Sequence, residues 1–274
     1  MSFARRYGPW ALVAGASDGV GAEFAHELAR RGVSVVLLAR RQGVLDEVAA
    51  SIRAASGVET RTVAVDLADP DATARVRAAT AGLDVGFLVY CAGADPGHAT
   101  LLDSPIDRAT SLVQRNCTAP LQMVHHFAPP MVARGRGGIV ILGSAAGFAG
   151  APNMVAYAAS KAFDMVMAEA LWAELHETGV DVLGLILGLT DTPALRRLRA
   201  NLGHDDAPDA ALAGAATPQE VVREAFENLA SGPTWIVGEP LREGMRYVGS
   251  LPRGEAVRLM IQASAATMGG AQRK

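Results

Sequence analysis

Leu12–Val13–Ala14–Gly15–Ala16–Ser17–Asp18–Gly19–Val20–Gly21 joins an apolar run to an amphipathic one. The residues before it, 11–14, read as a buried strand, and 20–31 read as a helix. Glycines at 15, 19 and 21 permit a tight turn. They also let backbone approach a pyrophosphate at the helix N-terminus. A glycine pattern alone is a weak signal; its place between strand and helix gives it weight.

The same alternation continues outward. Aliphatic or β-branched runs at 34–39, 62–65, 86–90, 139–142, 182–187 and 234–237 read as buried parallel strands. Helical spacing fills 44–55, 71–81, 116–134, 155–178 and 219–230. Strand and helix repeated this way predict an α/β, Rossmann-like, doubly wound parallel sheet of about seven strands in a three-layer arrangement. The whole chain, 1–274, reads as a single dinucleotide-binding and catalytic domain. A composition shift at 201–216, rich in Ala, Gly, Asp and Pro, reads either as a surface loop or as a lid within a substrate-loop region near 189–216, and the apolar residues of 239–274 predict a packed C-terminal tail.

Half the residues are hydrophobic and 19% are charged, which excludes a disordered or fibrous chain. The net charge of −3 offers no basic surface, so no nucleic-acid partner is expected. Two cysteines, Cys91 and Cys117, cannot build a disulfide framework, and a cytoplasmic setting is expected. The longest apolar stretch, 182–189, is far below the ~20 residues of a membrane span, and no targeting segment is read. His125 and His126 are adjacent and lack companion ligands, so no metal is expected. His98 and His204 read as surface residues, and Cys91 as an inert small hydrophobe.

The second strand ends in Arg40–Arg41, with no carboxylate to accept from a ribose 2′-hydroxyl. Guanidinium groups suit a 2′-phosphate, which favours NADP(H) over NAD(H) with Arg40 as the leading contact. Asp18 nearby is a counter-signal, because a carboxylate repels phosphate. Asp66, before Leu67, fits either an acceptor for the adenine amine or a helix cap. Tyr157 and Lys161 are spaced i, i+4, which puts a phenol and an ammonium on one helix face. A nearby cation stabilises phenolate, and such a tyrosine exchanges a proton with a carbonyl or alcohol oxygen. Ser144 follows a strand, where an open α/β sheet presents ligand groups, and its hydroxyl suits the same oxygen.

Taken together, residues 8–238 resemble the short-chain dehydrogenase/reductase family, in its single-domain branch. The matching motifs are the glycine turn, Asp66, Ala92–Gly93, Asn116, Ser144, and Tyr157 with Lys161. The resemblance implies that Tyr157 is the acid/base and that Lys161 tunes it and binds the nicotinamide ribose. It implies that Ser144 orients the substrate oxygen and that Asn116 completes a proton relay. It implies cofactor contacts from Gly15, Ser17, Asp18, Gly19, Val20, Gly21, Arg40, Asp66, Leu67, Cys91, Ala92, Gly93, Tyr157, Lys161, Gly188, Thr190 and Thr192. Where the family has threonine before the first glycine this chain has Ala14; Cys91 stands for an asparagine and Leu187 for a proline.

The expected activity is an NADP(H)-dependent oxidoreductase moving hydride between nicotinamide and a carbonyl or secondary alcohol. Phe148, Met154, Leu189, Leu195 and Leu198 point to a lipophilic substrate, steroid-, terpenoid- or acyl-like. Arg196, Arg197 and Arg199 read either as a solvated helix face or as a grip on an anionic substrate. Two alternatives stand beside this: an NAD-preferring alcohol dehydrogenase of the same family, and a non-catalytic dinucleotide-binding regulator. The resemblance also implies a homodimer or homotetramer built on the helices at 116–134 and 155–178.

Overall fold

The computed structural model describes residues 2–94, 97–204 and 210–268. Parts of two predicted regions, 205–209 of the substrate loop and 269–274 of the tail, lie outside the described residues.

The strands are β1 (Trp10–Ala14), β2 (Ser34–Ala39), β3 (Thr60–Ala64), β4 (Val85–Tyr90), β5 (Gly137–Ser144), β6 (Val180–Leu187) and β7 (Thr234–Ile236). They form one seven-stranded sheet in the order β3-β2-β1-β4-β5-β6-β7, every pair parallel. The helices are α1 (Phe3–Tyr7), α2 (Gly19–Arg30), α3 (Gln42–Ser56), α4 (Ala72–Ala79), α5 (Ile106–Val113), α6 (Ala119–Ala133), α7 (Val155–Leu175), α8 (Pro193–Asn201), α9 (Pro218–Asn228), α10 (Glu239–Ser250) and α11 (Arg253–Met268). The fold is the expected Rossmann-like α/β sheet, in a single domain.

Side-chain alternation explains why the strands read as unbroken apolar runs. Val13, Leu37 and Val89 face one layer, where Phe24 of α2, Leu45 of α3 and Val221 of α9 cover them. Leu12, Val36 and Leu88 face the other, under Val76 of α4, Met123 of α6 and Met167 of α7. The central strands β1, β2 and β4 are buried on both faces, which leaves little place there for a polar residue. The strand order reverses direction between β1 and β4, and the crevice beyond their C-terminal ends is where such sheets take ligands.

Three elements depart from the expectation. The helix predicted from residue 116 starts at Ala119, behind a π turn at Gln114–Thr118. The wider turn breaks the 3.6-residue spacing and carries Asn116 fully into the interior. α5 escapes the sequence reading because Leu112 is its one buried residue, too little for an apolar stripe. α8 occupies the front half of the predicted substrate loop, and no residue of it is fully buried. The tail is helical: α10 and α11 enclose Met245, Val248, Ala256 and Met260 against Ala149.

Candidate active site

The first turn of the site is built by glycine. Gly15 and Gly19 have φ of +86° and +57°, values that side chains resist. A Cβ on Gly21 would stand 2.1 Å from the Gly15 carbonyl oxygen, and one on Gly15 2.9 Å from Ala92 N. The turn after β1 therefore packs directly on the turn after β4. The Gly15 and Ala16 amides donate to Leu38 O (2.8 and 3.0 Å), and Cys91 N donates to Ala14 O (2.9 Å).

Asp18 stands at the N-cap of α2 but its carboxylate caps nothing. It pairs instead with Arg197 (3.1 Å) and Arg41 (3.5 Å). The amides of the first turn of α2, beside Ser17 and Val20, thus have no side-chain acceptor from Asp18. That arrangement suits a pyrophosphate. The expected repulsion from Asp18 is countered by two guanidinium groups. Arg40 is exposed and makes no ion pair among the described residues.

Asp66 is half-buried, and one of its oxygens accepts from Ala68 N at 3.0 Å. It caps its own turn rather than α4, which begins after Asp71. Leu67 beside it is buried. Burial pushes the Cys91 thiol well up, against a smaller opposing pull from Lys161, so it is a poor nucleophile.

Beyond β6, Thr190 is buried and bridges to Ala216, closing the base of the predicted substrate loop. A Cβ on Gly188 would meet Leu241 of α10 at 3.1 Å. Thr192 caps α8 through Leu195 N (3.2 Å), and its methyl group lies where a Cβ on Gly19 would be. The three arginines of α8 each bind another part of the chain. Arg196 forks onto Asp191 (2.6 and 2.7 Å), Arg197 reaches Asp18, and Arg199 reaches Thr267 O at 2.7 Å. Each tethers α8 to another part of the chain, although Arg197 keeps an exposed side chain. His98, expected on the surface, is buried, with a φ of +42°.

Ser144 is the last residue of β5. Its hydroxyl oxygen accepts from Ala146 N (3.2 Å), which orients the group and leaves its proton to donate. The short 3-10 turn that follows lies against α7, since a Cβ on Gly147 would touch the Lys161 backbone at 2.7 Å. Tyr157 and Lys161 both rise from α7, Tyr157 half-buried and Lys161 buried. The Lys161 ammonium lies 6.0 Å from the centre of the Tyr157 ring. It donates to Leu142 O of β5 (2.8 Å) and to Asp164 Oδ2 (2.9 Å). Burial works against that charge, but Asp164 outweighs it and holds Lys161 above its usual range.

Asn116 Nδ2 donates to Ser160 Oγ (2.9 Å) and Gly93 O (3.2 Å). Gly93 backs onto the set: a Cβ there would stand 3.0 Å from Lys161 Nζ and 3.2 Å from Asn116 Oδ1. The structure thus gathers Asn116, Gly93 and Lys161 in one cluster, with Tyr157 one helical turn away. Ser160 and Asp164 belong to it and were not singled out by the sequence reading. For Asp164 the i+3 spacing from Lys161 on a helix was an available signal; Ser160, adjacent to Lys161, left none. An apolar cavity of about 480 Å³ lies between residues 146–152, α7 and α11, and none of Asn116, Ser144, Tyr157 or Lys161 lines it. Among the described residues no group of three His, Cys, Asp or Glu could hold a metal, and no helix is long and apolar enough to cross a membrane.

Comparison with known proteins points in one direction. The family described as short chain dehydrogenase matches residues 9–203. A 7beta-hydroxysteroid dehydrogenase of Collinsella aerofaciens is 35% identical over 266 residues, covering 92% of this chain and all of that protein. A solved 7beta-hydroxysteroid dehydrogenase structure superposes with a TM-score of 0.87 at 35% identity, covering 95% of this chain and 99% of that one. A short-chain dehydrogenase of Sphingobium yanoikuyae, solved with NADPH, gives a TM-score of 0.75 at 28% identity, covering 97% and 98%.

Proposed function

The chain belongs to the short-chain dehydrogenase/reductase family, an oxidoreductase family acting on CH–OH and C=O groups with a nicotinamide cofactor, and from that premise we propose an NADP(H)-dependent enzyme for a hydroxysteroid-type substrate. One observation carries the reading. Tyr157 and Lys161 share one helix, Ser144 ends β5, and the turn after β4 joins that set to the glycine turn, with Gly93 against Lys161 and Ala92 against Gly15. When bound, the nicotinamide supplies or takes the hydride.

The chain's own residues do the rest. The glycine turn and the open first turn of α2 hold the pyrophosphate, and Arg40 meets the 2′-phosphate. Asp66 and the turn at Cys91, Ala92 and Gly93 flank the adenosine side. Gly188, Thr190 and Thr192 flank the nicotinamide end. Ser144 Oγ donates to the substrate oxygen, and Tyr157 Oη gives that oxygen a proton or removes one. Lys161 steadies the phenolate, and Asn116 is tied to it through Gly93. The substrate sits between the Ala145–Gly147 turn, α8 and the C-terminal helices, where Phe148, Leu195 and Leu198 offer apolar surface. Exposed Val113, Leu121, Val155 and Val166 on α5, α6 and α7 support assembly of the chain with itself.

The test is turnover of a 7β-hydroxysteroid with NADP⁺ by the wild type and Tyr157→Phe. The wild type is expected to produce the ketone. The variant is expected to lose activity by about 10²–10⁴-fold while nucleotide binding persists. A fully active Tyr157→Phe would reject the mechanism. Nucleotide binding with no turnover of any steroid or other carbonyl compound would favour a regulator.

A further inference from the structure

Asp164 is a buried acid for which the proposed mechanism has no use. Both it and Lys161 are almost fully enclosed, with side chains 2% and 6% exposed. Oδ2 meets the Lys161 ammonium at 2.9 Å, and Oδ1 has no hydrogen-bond partner among the described residues. Burying a carboxylate with one oxygen unsatisfied costs stability, and an apolar residue at this position would avoid that cost. Among the described residues the strong partner of the carboxylate is the lysine. Burial drives the Asp164 carboxyl above the usual carboxylate range, and the Lys161 ammonium at 2.9 Å opposes that rise without cancelling it.

We propose that Asp164 is a positioning residue of the catalytic set: it anchors Lys161 Nζ, with Leu142 O, and makes the lysine act on Tyr157 as one half of an ion pair rather than as a lone cation. The inference rests on the reading of Tyr157 as acid/base. A neutral pair in a low-dielectric site stabilises a nearby phenolate less than an isolated ammonium does. The carboxylate therefore moves the working range of alcohol oxidation toward higher pH. Other groups facing the pair are Tyr157 on α7, Tyr90 and Cys91 from β4 and its turn, and Cys117 from the π turn, while Arg115 of that turn acts on Tyr90 and donates to Asn116 Oδ1. Burial pushes the Tyr90 hydroxyl and both thiols up, so these three stay neutral across the assay range and add no competing charge.

The experiment is the pH–rate profile of 7β-hydroxysteroid oxidation for wild type, Asp164→Asn, Asp164→Val and Tyr157→Phe. In Asp164→Asn the acid limb of kcat/KM is expected to move to lower pH by on the order of one unit. Asp164→Val is expected to move it the same way. A profile that stays in place, or moves up, in a folded and active Asp164 variant overturns the proposal. Failure of both variants to fold also overturns it, because it assigns Asp164 to the fold. An inactive Tyr157→Phe with an unmoved Asp164→Asn profile rejects the role of Asp164 alone. An active Tyr157→Phe rejects the reading beneath it.

Discussion

Arg40 and Arg41 stand side by side after β2 but are spent differently. Arg41 is paired with Asp18, whereas Arg40 points into solvent without a partner among the described residues. Adjacent residues leaving a strand diverge, so one reaches back to the turn after β1 and the other outward. The proposed preference for NADP(H) hangs on Arg40. Arg40→Ala removes charge-assisted hydrogen bonds worth about 1.5–3 kcal/mol, so NADPH binding is expected to weaken about 10–150-fold with NADH binding unchanged. Calorimetric titration with each nucleotide checks it, and equal losses for both would remove Arg40 from the phosphate site.

The turn after β1 and α8 form one unit. Thr192 packs on Gly19, and Arg197 bridges to Asp18. Gly21→Ala would drive a methyl group to 2.1 Å from the Gly15 oxygen. The turn must open, at a cost of about 1–3 kcal/mol, and nucleotide binding is expected to vanish. A thermal melt with and without NADPH reads both effects; a variant still stabilised by nucleotide would contradict the cradle. Arg197→Ala is expected to act otherwise. That pair is largely exposed and contributes about 0–1 kcal/mol, so the melting midpoint should barely move. Its loss should instead speed hydrogen exchange in α8, measured against α7 as an internal standard. Equal exchange would mean that Arg199 and Arg196 alone hold the helix.

Closure of the C-terminal half over the strand ends depends on Glu224 of α9. Its carboxylate accepts from Trp235 Nε1 (2.8 Å), Arg242 Nη1 (2.9 Å) and Gly238 N (3.2 Å), tying β7 and α10 to the sheet. Burial opposes its ionisation, but these hydrogen bonds outweigh burial and hold it below the usual carboxylate range. A carboxyl depressed on folding contributes stability that is fully present above its unfolded value of about 4.3 and is lost as pH falls through the lower folded value. Glu224→Ala is therefore expected to cost about 1.5–3 kcal/mol at pH 7, with the gap to wild type shrinking below about pH 4. Denaturant midpoints at the two pH values measure it; a gap independent of pH would show that lost packing, not charge, is responsible. α11 completes the closure, with Arg253 on Phe148 O and Arg199 on Thr267 O.

The parallel sheet and its two covering layers were legible because burial on both faces forces unbroken apolar runs, and runs survive in one dimension. The glycine turn was legible because steric exclusion acts between near neighbours, as did the i, i+4 placement of Tyr157 and Lys161 on α7. The extent of β5 to Ser144, the π turn under Asn116 and the helix α5 with its one buried residue were not, since none leaves a periodic trace. The partners of charge were hidden altogether. Asp18 with Arg197 is 179 residues apart in the chain, and Asp164 reads as an ordinary polar residue until β5 and the π turn enclose it. Local pattern records which residues can be buried or turned; which charges meet, and in how dry a place, is set only when distant elements pack together.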